Sequence, residues 1–369
     1  MPKSDLVCDI VAGQAEGGDV SAELADAVLS EAIETEVARQ TEIGVDIVSD
    51  GEFSKPSYTT YVQQRLSGFG GDSPPVTPAD LDAFPLAQRM AETRRGAPEA
   101  IRRAPCIGPV ELKTMQYFED DVRRMQAAVD SASPNGAFLT AASPGLIAIY
   151  HPNRHYPSHI AYLTALGQAM KAEYQAIINA GLDLQIDCPD LAMGRHTAFK
   201  NASEAAFLRQ AEIQVEALNE ALAGLPAERM RIYVSWGNYE GPHSFDVPLA
   251  KILPILLKAK PMGIVIEAAT PGHQHEWRVF EDIPLPDDKV LLPGVIDVTN
   301  NYVEHPEVVA DRIERYANLI GRERVIASTD SGFAAFSGDQ MVDPRVAAAK
   351  LESLVSGARI ASRRLGWPA

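Results

Sequence analysis

The sequence predicts an α/β barrel, and three observations carry that reading. Short β-branched apolar runs alternate with longer amphipathic stretches almost from end to end, the pattern of a parallel sheet covered on both faces by crossover helices. Acidic, hydroxyl and amide side chains collect just after those runs, where a barrel of this kind assembles its chemistry. No G-x-G-x-x-G or Walker sequence follows an early strand, which disfavours a doubly wound nucleotide-binding sheet. The expected architecture is a single (β/α)8 TIM barrel over 1–369, with an extra hairpin or loop excursion near 57–115.

Taken in order, 6–12 reads as a first strand and 22–43 as a helix, with Leu24, Val28, Ala32, Val37 and Ile43 near helical spacing. Residues 46–49 form the next strand. Later strand candidates are 105–110, 137–141, 183–187, 231–235, 263–267, 290–297 and 324–329, and helical segments occupy 160–180, 204–225, 248–259, 306–320 and 345–365. That is one strand more than a barrel needs. The surplus is 105–110, which carries Pro105, Gly108 and Pro109. The main interruption, 57–100, is rich in Gly, Pro and Asp and runs into the basic stretch 94–103. It reads as an inserted loop on the surface, with a lid or subunit contact as the alternative.

Composition bounds the partners. In 369 residues, 46% are hydrophobic and 22% charged, a balance that supports a large core. Fifty acidic against thirty-three basic residues give a net charge of −17, which repels nucleic acid and anionic membranes. A small-molecule substrate is expected, anionic ones included, and a homo-oligomer is left open. The N-terminus lacks the apolar core of a signal peptide, no run is long enough to span a membrane, and Cys8, Cys106 and Cys188 form no disulfide framework. A reduced cytoplasm is the expected location.

Reading each strand to its end gives a consistent list. The second ends in Asp50-Gly51-Glu52, the fourth in Ser143-Pro144-Gly145, and the fifth supplies Asp187, Cys188 and Asp190. The sixth supplies Tyr233, Ser235, Asn238 and Glu240; Glu267 closes the seventh; Asp297, Thr299 and Asn300 follow the eighth; Asp330 and Ser331 follow the last. One Asp at a strand end is often only a helix cap. Recurrence at six or more ends points instead to one active site. Carboxylates converging there need a cation, basic side chains or water among them.

Seven segments, in order, resemble the short single-barrel relatives of cobalamin-independent methionine synthase: "GVDIVSDGEFSKPSY", "AASPG", "LQIDCPDLAM", "WGNYEGPH", "HEW", "PGVIDVTNNYVEHPE" and "RVIASTDSGF". The resemblance implies a (β/α)8 barrel, within the wider superfamily that includes uroporphyrinogen decarboxylases, and a zinc ion that activates a thiol for group transfer. That zinc is held by a His-x-Cys pair, a Glu and a Cys. The matching positions here read Tyr233, Ser235, Glu267 and Ser331. Neutral hydroxyls are poor ligands for a borderline-soft ion, so the resemblance and the residues together imply that the usual zinc site is lost. No cofactor is expected, and zinc is the lesser alternative.

A displaced metal at His273-x-His275 with Glu276 is one form of that alternative, and His155 with His159 is a weaker one because Pro157 lies between them. Cys188 reads as a buried inert thiol rather than a nucleophile. What remains is acid–base chemistry. Asp187, Tyr233, Glu267 and Asp330 are the expected catalytic residues. Glu52, Ser143, Cys188, Ser235, Asn238, Glu240, Asp297, Thr299, Asn300 and Ser331 are the expected substrate contacts. The expected enzyme performs lyase, decarboxylase or hydrolase chemistry on a small polar metabolite. The alternatives are methyl or alkyl transfer to a thiol, and a non-catalytic binding barrel.

Overall fold

The computed structural model describes residues 1–369 apart from 17, 19, 75–76, 95–102, 340 and 368–369, so most of the basic stretch 94–103 lies outside the described residues. Seven parallel strands pair in chain order: β1 (Ile47–Ser49), β2 (Gly136–Ala142), β3 (Asp183–Asp187), β4 (Met230–Val234), β5 (Gly263–Ile266), β6 (Val290–Ile296) and β7 (Ser328–Thr329). Around them lie α1 (Asp5–Glu16), α2 (Ala22–Ile43), α3 (Gln116–Ala132), α4 (Pro144–Tyr150), α5 (His159–Asn179), α6 (Glu204–Ala221), α7 (Leu249–Leu256), α8 (Pro306–Ile320) and α9 (Pro344–Arg364). This is a TIM-type α/β barrel. No helix among the described residues is long and apolar enough to cross a membrane.

Two strand expectations are corrected. Residues 6–12 lie inside α1, where Val7, Ile10 and Val11 are buried at helical spacing and Ser4 accepts the Val7 and Cys8 amides. With that segment helical, no eighth strand pairs with the outer edge of β1 or β7 among the described residues. Residues 105–110 do not join the sheet either. Residues 106–112 instead meet 66–69 through isolated antiparallel bridges, Phe69 to Cys106 and Leu66 to Leu112, and so close the excursion as an irregular hairpin.

The helices follow from local chemistry. Ser21 caps α2 by accepting the Leu24 amide at 3.1 Å, and Leu29, Ile33 and Val37 bury one stripe of it. Each such side chain contributes about 1.5–3 kcal/mol on burial. Ser143, Ser158 and Ser203 cap α4, α5 and α6 in the same way.

Strand alternation then sorts the sheet. Leu139, Leu184, Ile186, Ile232 and Ile264 are buried among the core hydrophobics, while Thr140, Gln185, Asp187, Arg231 and Tyr233 line a central cavity of about 2330 Å³. The strands thus turn a set of polar side chains toward a lining that Phe138, Val265 and Leu292 share. Gly263 makes room for Arg231, since a Cβ on Gly263 would stand 2.6 Å from the Arg231 Cβ.

The excursion is tied down by a buried ionic network. Arg65 donates to Glu173 at 2.7 Å and to Asp121 at 2.6 Å, and Tyr61 donates to Glu173 at 3.1 Å while accepting the Ala142 amide. Its short helix Ala79–Ala83 sits against the loop after β4, where the Asp80 carboxylate accepts the Ser244 amide at 2.7 Å and the Tyr239 hydroxyl at 3.2 Å.

Candidate active site

Because the strands are parallel and in register, their C-terminal ends form one rim. Asp187 at the end of β3 stands beside Tyr233 on β4, and both side chains face the cavity. Burial and repulsion from Glu52 push the Asp187 carboxyl up to about 7, with partial relief from Lys55. Gln185 donates to it at 3.2 Å. The Tyr233 hydroxyl is buried close to the Ser235 and Ser331 hydroxyls, and burial with the nearby Glu267 raises it well above an ordinary phenol. A carboxyl poised near neutrality and a phenol that keeps its proton therefore sit side by side.

Glu52 forms the opposite wall. Lys55 donates to it at 3.2 Å, and Thr140 donates to the same oxygen. Burial opposes ionisation there, but Lys55 and the Thr140 hydroxyl outweigh it and hold Glu52 down to about 2. Lys55 is the cation the carboxylates require. It is buried, and it also donates to the Thr140 carbonyl at 2.8 Å and the Thr140 hydroxyl at 2.6 Å.

The four positions that the resemblance assigns to zinc form a hydrogen-bonded group of another kind. Ser235 donates to Glu267 Oε1 at 2.5 Å, and the Trp236 amide donates to the same oxygen at 3.2 Å. Burial raises the Glu267 carboxyl, with His273 and Ser235 partly offsetting it. Tyr233, Ser235 and Ser331 line the cavity and Glu267 stands behind Ser235. One carboxylate with three neutral hydroxyls does not fit a tightly held zinc.

Other expected residues are placed differently. Asp330 is buried and accepts the amides of Ala268, Ala269 and Thr270 at 2.7, 2.9 and 3.1 Å, so it anchors the turn after β5. Ser143 caps α4 and donates to Asp190 at 2.8 Å, beneath the rim. Burial raises Asp190 to about 7, and the Ser143 hydroxyl lowers it in part. Cys188 is buried and donates to the Ile186 carbonyl. Asn238 lines the cavity and donates to the Gly332 carbonyl at 2.8 Å, whereas Glu240 is exposed. Asp297 accepts both the amide and the hydroxyl of Thr299, and Asn300 accepts the Tyr302 amide, so these three organise their own loop.

Sequence reasoning missed several contributors. Thr140, Gln185 and Arg231 also line the cavity, Lys55 lies buried against Glu52 and Thr140, and period-two alternation from Asp187 and Tyr233 would have found Gln185 and Arg231. Sequence reasoning named His273 and Glu276 but missed His196, His243 and Asp246, which cluster with them behind Trp236. His273 is buried there while its expected partner His275 is exposed.

No family model matches the chain. Curated relatives do. The chain is 24% identical over 380 residues to 2-hydroxypropyl-CoM lyase of Xanthobacter autotrophicus, covering 92% of this chain and 88% of that protein. It is 22% identical over 327 residues to a methionine synthase of Saccharolobus solfataricus, covering 87% and 81%. Among solved structures, a B12-independent methionine synthase from a Shewanella species, in complex with selenomethionine, superposes with a TM-score of 0.73 at 19% identity, over 94% of this chain and 92% of that one. That likeness shows the shared barrel. Over most of its length the chain is similar to short methionine synthases and to 2-hydroxypropyl-CoM lyase, and the first of these is the family its ordered segments resemble.

Proposed function

We propose that the protein is an acid–base enzyme of lyase type, acting on a small polar metabolite without zinc at the family position. The observation that carries this reading is the pair Asp187 and Tyr233, adjacent on neighbouring strands and facing one cavity. A carboxyl poised near neutrality is matched to proton transfer at cellular pH. As the carboxylate, Asp187 takes a proton from a carbon next to a carbonyl or carboxyl group of the substrate. The freed electron pair forms the new double bond and expels a leaving group from the neighbouring carbon. Tyr233 donates to the developing oxyanion, in a buried setting where such a bond counts most.

Group transfer involving a thiol is the second reading, and the names of the relatives favour it. A thioether leaving group would unite the two. A non-catalytic binding barrel is the third, and an open, mainly apolar cavity with a few convergent polar groups argues for a ligand in either case.

Exchange in D2O tests the proposal. Small acids and thioethers with an acidic C–H are incubated with protein and followed by NMR. The wild type should exchange or eliminate one class, and Asp187→Asn should reduce the rate by two or more decades. Equal rates in wild type and Asp187→Asn would remove Asp187 from the mechanism. Tight ligand binding with no exchange in the wild type would favour the binding barrel.

A further inference from the structure

We propose that His243, Asp246 and His273 form a binding site for one divalent transition metal of the zinc class, clasping the loop after β4 to the loop after β5. The site is separate from the positions the resemblance assigns to zinc, and it does not depend on the function proposed above.

The geometry begins with convergence. His243 Nδ1 and His273 Nε2 approach the same oxygen, Asp246 Oδ2, at 2.8 and 2.9 Å. One donor atom from each of the three residues lies within 4.8 Å of the others. Drawing them onto an ion at about 2.0–2.2 Å needs only a small swing of the carboxylate.

The far side of each ring is already committed. His243 Nε2 lies 3.1 Å from the Tyr239 carbonyl oxygen, which only accepts, so that nitrogen carries the proton. His273 Nδ1 lies 2.8 Å from Glu276 Oε2, and Glu276 is itself held by the Leu249 amide at 2.6 Å. In the neutral form of each ring, these bonds leave Nδ1 of His243 and Nε2 of His273 facing Asp246 as lone pairs. A lone pair facing a carboxylate oxygen repels it unless a proton or a cation lies between them. A carbonyl or carboxylate behind an imidazole is the usual support of a metal-bound histidine.

Two further features fit an ion. The rings are held in place by stacking, Trp236 on His273 at 4.2 Å and Tyr239 on His243 at 4.4 Å between centroids. Asp246 Oδ1 is buried with no hydrogen bond, 3.3 Å from His196 Nε2, which spends its own bond on the Trp236 carbonyl at 2.7 Å. Two imidazoles and one carboxylate suit zinc, cobalt or nickel and disfavour magnesium and calcium, which prefer oxygen.

The competing occupant is a proton on each ring, giving two imidazolium ions around one carboxylate. Full-length protein is dialysed against a chelator, then titrated with Co²⁺ and followed by visible absorption and calorimetry. The proposal expects one saturable equivalent, displaced by Zn²⁺, with a rise of several degrees in Tm on loading. His243→Gln should weaken uptake at least tenfold, and Glu267→Gln should leave it within about twofold. Absence of saturable uptake by the wild type would overturn the proposal, whatever the variants do. So would uptake that Glu267→Gln abolishes and His243→Gln leaves intact, because the ion would then sit at the family position.

Discussion

Replacing Asp187 by Asn should stabilise the protein at alkaline pH while removing its activity. Asp187 holds its proton up to about 7 in the fold, against an ordinary aspartate value of 3.8. Between those values the native state keeps a proton that the unfolded chain releases, so stability falls as pH rises through the window and the loss is complete above about 7. At about 1.36 kcal/mol per pH unit, that window sets an upper bound of about 4 kcal/mol. Asn is neutral at every pH and can still accept from Gln185, so most of the penalty disappears with the carboxyl. Glu52 as repeller and Lys55 and Arg231 as attractors are the charged groups that act on Asp187 and set the size of the effect. Urea unfolding of both proteins from pH 4 to 8.5 measures it. The curves should nearly coincide at pH 4 and separate by about 1–4 kcal/mol at pH 8.5, the variant being the more stable. A variant that is less stable at pH 8.5, or a gap that does not change with pH, would refute the argument.

Three other outcomes follow from the contacts. Gly145→Ala should cost about 1–3 kcal/mol, because its Cβ would stand 2.0 Å from Asp190 Oδ2 and that carboxyl is fixed by Ser143; an unchanged melting temperature would contradict it. Arg65→Ala should destabilise by about 3–5 kcal/mol in urea titrations, since it leaves the buried Glu173 with only the Tyr61 hydroxyl and the buried Asp121 with only Arg124 at 3.5 Å. The combined changes Tyr233→His, Ser235→Cys and Ser331→Cys should create a second zinc equivalent that depends on Glu267, whereas the single changes should not. A folded triple variant without that equivalent would break the positional match to the zinc-bearing relatives.

The strand ends were legible in the sequence because covered parallel strands read as apolar runs that stop at polar residues. The runs at 183–187, 231–235 and 290–297 lie within one residue of β3, β4 and β6. The first segment misled because Val7, Ile10 and Val11 form a short apolar run, and only burial distinguishes its three-and-four spacing from a strand. β7 is reduced to Ser328–Thr329 because its pairing with β6 is irregular between Gly294 and Ile296. The site was half legible. Asp187, Tyr233 and Ser235 announce themselves at strand ends, but nothing local distinguishes Asp187, free at the cavity, from Asp330, spent on three amides. Lys55 and the His243–Asp246–His273 cluster lie on loops without periodicity, where only the folded chain brings them together.

A crystal structure of the wild type with its substrate or a product-like ligand tests the central claim most directly. The account predicts a ligand polar group within about 3 Å of both the Asp187 carboxyl and the Tyr233 hydroxyl, with Glu267 still bonded to Ser235. A metal ion held by Glu267 together with Tyr233, Ser235 or Ser331 at about 2.0–2.2 Å, and bound in turn to a ligand sulfur, would contradict it.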